Sequence, residues 1–171
     1  LNYFVNYNEI PNNSIDDDGN GFVDDYWGWS VYDSNDSVYG SASHGTHVAG
    51  IAGAKGDNGK GIAGVCWGVK ILAIDGSSEL ESDVVKAYDY TIAMRDLYNV
   101  SGGSKGAFVV ATNSSFGVGQ YGANPVDFPI WCAMYDSLGK YGILSAVSSP
   151  NRDVNVDVVH DVPSECPSKF K

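Results

Sequence analysis

The 171 residues, 43% of them hydrophobic, suffice for one domain with its own core and fall short of two ordinary ones. A formal net charge of -11 would repel phosphate backbones and anionic lipid, so nucleic acid is excluded as a working partner. No apolar run reaches the length of a membrane span, and residues 1–20 lack a basic start followed by an apolar stretch, so any targeting segment would have to lie upstream.

Residues 1–43 are polar, rich in Asn, Asp, Ser, Tyr and Gly, and without a sustained period, which predicts an irregular, ligand-organised loop region. Within it, residues 15–25 (IDDDGNGFVDD) place Asp16, Asp18 and Asn20 at alternate positions, then Gly21, a carbonyl at Phe22, and Asp24. That spacing reproduces the opening of an EF-hand-type loop, whose oxygens wrap a hard cation and whose Gly permits the sharp turn, so bound Ca2+ is expected. Trp27 stands where the closing bidentate Glu belongs, and Asp25 is the substitute carboxylate. A solvated acidic turn is the bland alternative.

From Ser43 the character changes. Residues 44–54 (HGTHVAGIAGA) are small and apolar after a polar start, which predicts a buried helix capped by Ser43. Residues 69–74 (VKILAI) read as a strand covered on both faces, and 82–98 as a helix capped by Ser82. A second strand at 107–111, a helix at 130–138 and a third strand at 142–147 complete the order. Alternating helices and strands of this kind predict an α/β fold with crossovers and a parallel sheet. In such sheets function gathers beyond the carboxyl ends of strands, here at residues 75–79, 113–117 and 148–151. Three cysteines leave one unpaired, and spacing does not decide among the pairings; Cys132–Cys166 is favoured, with Cys66 buried and free.

The run His44-Gly45-Thr46-His47-Val48-Ala49-Gly50 resembles the histidine motif of the subtilases, and residues 59–65 (GKGIAGV) resemble the loop that follows it. The resemblance covers nearly the whole chain. It implies a partial subtilisin-like peptidase domain over residues 1–171, with a loop region at 1–43 and an α/β core portion at 44–171. His44 would then be the general base, a task that suits an imidazole because its unperturbed pKa is about 6.5. His47, one turn on, would pack and bond inside the core. The competing readings are a satisfied core histidine and a His44/His47 metal pair, for which no third ligand is evident.

Asn151, in Ser148-Ser149-Pro150-Asn151, stands where the resemblance puts an oxyanion-hole asparagine, although Pro150 replaces the small residue usual there. A plain loop asparagine is the alternative. Asn113, Ser114, Ser115, Phe116 and Gly117 (NSSFG) resemble the strand along which an extended substrate pairs, with Gly117 leaving room for backbone approach. Ser77, Ser78 and Glu79 would form the opposing strand. Two ordinary strand-end loops would look the same.

No segment resembles the family's catalytic aspartate or nucleophilic serine. Asp75 follows His44 rather than preceding it, and residues 102–106, which fit G-x-S-x-G, have the helix before and the strand after, the reverse of a nucleophile elbow. The resemblance therefore implies a fragment of a secreted, calcium-dependent serine endopeptidase, inactive alone and needing companion segments of the same precursor for catalysis and solubility. Peptide or protein is the implied substrate. A non-catalytic subtilase-like module for peptide binding or assembly, and a calcium-organised structural domain, are the alternatives.

Overall fold

A computed structural model describes residues 2–39, 43–118 and 122–170. The expectation for residues 40–42, within the loop region, lies outside these. The chain forms two compact units, Leu1–Asp75 and Gly76–Lys171, and each is described by itself.

The first unit is a single β–α–β crossover. Strand β1 (Gly28–Ser30) pairs in parallel with β2 (Ala73–Asp75), in the register Gly28 to Ala73 and Ser30 to Asp75, and helix α1 (Ser43–Gly53) lies between them in sequence. Tyr3 extends the pairing in parallel beside Ile71. Residues 1–43 are thus not irregular throughout, because they contribute β1. Its signal was hidden: three fully buried residues are too few to show a period.

Helix α1 departs from the buried helix expected. Only Gly50 and Gly53 are buried, packed near Ile62, Val69 and Ile71, while residues 43–47 are exposed, His47 among them. Small residues alone do not bury a helix; they bury the one face that a neighbour approaches, here the face carrying the two glycines. The last carbonyls of α1 are met by a returning strand-like segment, with Val65 N–H donating to Ile51 O and Cys66 N–H to Ala52 O. Facing outward on that segment, Cys66 is free as expected but exposed rather than buried.

In the second unit, α2 (Glu81–Val100) and α3 (Pro129–Lys140) cover a parallel pair formed by β3 (Ala111–Ser114) and β4 (Leu144–Val147). A 3-10 turn (Pro125–Asp127) precedes α3, and a short helix α4 (Val156–Val159) follows β4. The parallel sheet expected is realised as two two-stranded sheets, one per unit. The strand expected at 107–111 begins only at Ala111, because Arg95 of α2 takes the Val109 carbonyl with its guanidinium and stacks on Phe108, which diverts that stretch from a ladder. Ser82 does not cap α2; the helix starts one residue earlier, after Leu80, whose N–H is taken by Ser78 Oγ at 2.9 Å.

The core of this unit is Val84 and Tyr88 from α2, Trp131, Met134, Tyr135 and Leu138 from α3, with Ile143 and Val162. The 3.6-residue spacing in α3 turns these four side chains onto one face. A disulfide joins Cys132 of α3 to Cys166, the favoured pairing.

Candidate active site

Parallel strands deliver their outgoing loops to one edge. After β3 comes 115–117 and after β4 comes 148–151, and the two are tied directly: Ser148 N–H donates to Ser114 O at 3.0 Å and Ser148 Oγ to Phe116 O at 3.0 Å. Helix α3 runs back along the pair, so its first turn lies at this same edge. There Glu81, which opens α2, accepts a hydrogen bond from Trp131 N–H at 2.8 Å. Ser77, Ser78 and Glu79 immediately precede α2, so all three expected loops of this unit leave at one edge.

Alternation sorts the side chains of that edge. Asn113 is exposed, donating from Nδ2 to Ser115 Oγ at 3.0 Å. Ser114 points inward and is buried, and Phe116 packs against Trp131 with ring centroids 5.9 Å apart. Asn151 is exposed, three residues beyond the anchored Ser148. A Cβ on Gly117 would stand 2.6 Å from the Val162 carbonyl, and Val118 N–H donates to that same oxygen. Gly117 thus makes room for the chain's own segment 160–163. That segment is held by its own bonds: His160 Nδ1 lies 3.0 Å from Glu165 Oε2, and Asp161 Oδ2 accepts from Ser164 Oγ at 2.6 Å.

In the first unit, His44 sits in the opening turn of α1, exposed to solvent. In sequence α1 follows β1 and leads back to β2, which ends at Asp75. The Asp75 carboxylate is engaged by Ser30 Oγ at 3.4 Å.

The acidic loop is folded around its own carboxylates. Asp16 accepts from Gly19, Asn20 and Gly21 N–H; Asp18 accepts from Asn20 N–H and Asn6 Nδ2. Asp24 accepts from Asn13 and Ser14 N–H, and Asp25, fully buried, is bonded by Asn6 Nδ2 and Asn20 Nδ2. The Phe22 N–H goes to Asn20 Oδ1.

Glu9 is the residue that sequence reasoning missed. It is buried, its two oxygens accept from Asp18 and Asp24 N–H, and Glu9, Asp16 and Asp18 each offer an oxygen within 4.8 Å of the others. Burial raises the Glu9 pKa above the ordinary carboxylate value; the Asp18 N–H partly offsets this, and the negative charges of Asp25 and Asp18 add to it. No spacing rule reaches Glu9, because it lies outside the alternating run.

Comparison with known proteins gives the family of the chain. The subtilase family model matches residues 5–171, and the chain belongs to that family. It is 32% identical over 155 residues to subtilisin-like protease 1 of Plasmodium vivax, covering 88% of this chain and 22% of the relative. The corresponding protein of Plasmodium berghei is 29% identical over 155 residues, covering 88% and 23%. Minor extracellular protease Epr of Bacillus subtilis is 34% identical over 133 residues, covering 65% and 19%. The chain thus spans about a fifth of the length of these curated relatives.

Proposed function

We propose that this chain contributes the general base and an oxyanion donor to a secreted serine endopeptidase. The observation that carries the reading is the HGTHVAG run as residues 44–50 of helix α1, with His44 in its first turn and open to solvent. His44 would take the proton from a serine hydroxyl as the oxygen attacks the peptide carbonyl, then return it to the leaving amine. The Asn151 amide would donate a hydrogen bond to the oxygen that gains negative charge. Aspartate and serine come from companion segments outside these residues, so residues 1–171 alone do not turn over peptide.

Substrate is peptide in extended form, paired by its main chain along 113–117 with 77–79 opposite, which makes sequence demands broad. Secretion is supported by the disulfide and by the extracellular naming of the Bacillus relative. Among the described residues no helix is long and apolar enough to cross a membrane.

Calcium fits the acidic loop on the chemistry of its donors. Residues 1–43 hold Glu9, Asp16, Asp17, Asp18, Asp24, Asp25, Asp33 and Asp36 and no Lys or Arg, and three of these carboxylates, Glu9, Asp18 and Asp25, are buried, which favours a cation among them. Glu9, Asp16 and Asp18 would hold it, with Asn20, the Phe22 carbonyl, Asp24 and Asp25 shaping the loop around it. Bound calcium would neutralise the cluster and fix the loop.

The test uses the full-length protein. Expected are hydrolysis of an extended peptide and a fall in kcat of about 10²–10³ with little change in KM on Asn151→Ala. A full-length protein that cleaves no peptide and takes up no fluorophosphonate is not a serine peptidase.

A further inference from the structure

Behind the strand-end loops runs a line of buried hydroxyls that the proposed chemistry leaves unused. Ser114, the last residue of β3, is 3% exposed, and its Oγ lies 2.8 Å from Tyr88 Oη of α2. Tyr88 Oη lies 3.1 Å from Tyr135 Oη of α3, and Trp131 Nε1 donates to Tyr135 Oη at 3.0 Å. The two phenol rings meet edge to face with centroids 5.6 Å apart. Both are under 10% exposed, and burial raises both pKa values above the ordinary phenol, so each remains an O–H donor throughout the working range.

Phenylalanine would fill the same volume without the cost of burying an oxygen, so these phenols are costly unless their bonds hold something in place. What they hold is the end of β3. Tyr88 fixes the Ser114 side chain, Ser114 O is taken by Ser148 N–H, and Trp131, the far end of the line, packs on Phe116. Ser114, between Asn113 and Ser115, and Phe116, just after them, are thereby held from inside by α2 and α3.

We infer that Tyr88 and Tyr135 are positioning residues that set the pose of strand 113–117 against an extended peptide. The inference rests on the peptide-binding reading above and deepens it, by naming what holds the binding strand.

The test is Tyr88→Phe in the full-length protein, assayed on an extended peptide that pairs along the strand and on a single-residue ester that does not reach it. KM for the extended peptide rises about tenfold, the equivalent of one buried hydrogen bond, while the ester's kcat and KM stay within about twofold. Ser114→Ala added to Tyr88→Phe shifts the ratio little further, because both substitutions remove the same hydrogen bond. Leu138→Val, a core change away from the hydroxyl line, leaves the ratio of the two substrates unchanged. Tyr135→Phe and Ser114→Ala are each read for the same ratio and stand in should Tyr88→Phe not fold. A ratio unmoved in these variants, or both substrates slowed alike, overturns the inference with the protease reading intact. A wild-type protein that cleaves neither substrate overturns the protease reading itself, and this inference with it.

Discussion

Breaking the Cys132–Cys166 bond, by reduction or as the Cys132→Ala, Cys166→Ala pair, gives a change whose size follows from the chain's connectivity. The bond closes a loop with a sequence separation of 34. The loop-entropy relation then gives about 3.8 kcal/mol of stabilisation at 25 °C, acting through the unfolded chain. The closed loop contains α3, β4 and the segment 160–166, so the loss falls on the second unit. In hydrogen exchange of the full-length protein, the slowest amides of residues 76–171 lose protection by up to roughly 500-fold, at about 1.4 kcal/mol per tenfold. The Val118 amide, bonded to Val162 O, joins them. Amides of α1 keep their rates. If oxidised and reduced protein exchange within about twofold of each other, the entropic account is wrong.

Calcium at about a hundred times its Kd stabilises the full-length protein by about 2.7 kcal/mol, so EGTA lowers the unfolding midpoint and Glu9→Gln removes most of that difference; a midpoint indifferent to calcium refutes the site. Asp136 accepts from Lys169 N–H and Ser168 Oγ, which hold its pKa below the ordinary 3.8. A depressed folded pKa stabilises above the unfolded value and fades as pH falls through the folded one, so protection of the Lys169 amide drops below about pH 3.8 in the wild type and is pH-insensitive in Asp136→Asn. Gly117→Ala drives a Cβ toward the Val162 carbonyl and costs about 1–3 kcal/mol in urea unfolding; an unchanged midpoint means that the 160–163 segment does not press on this strand.

The sequence marked helices better than strands, for a physical reason. Helices α2 and α3 show several turns of apolar spacing, which marks both to within a few residues. The strands are three or four residues long, so no period marks β1, and the apolar run at 107–111 points a few residues ahead of β3. Motif spacing singles out His44 and the strand-end loops, because those residues are local in sequence. Glu9, Tyr88, Tyr135 and the segment 160–166 act through contacts distant in sequence, which no single run displays. His47 shows the limit of a motif, since its place in a familiar run suggested a core residue and the helix turns it to solvent.

His44 and His47 give the most direct measurement, because they share one helix and one residue type and differ in the role assigned. In the full-length protein, His44→Ala lowers kcat/KM on an extended peptide by on the order of 10⁴ or more and abolishes fluorophosphonate labelling, while His47→Ala stays within about tenfold of wild type. Equal losses in the two variants, or a labelled and active His44→Ala protein, would contradict the assignment of the general base.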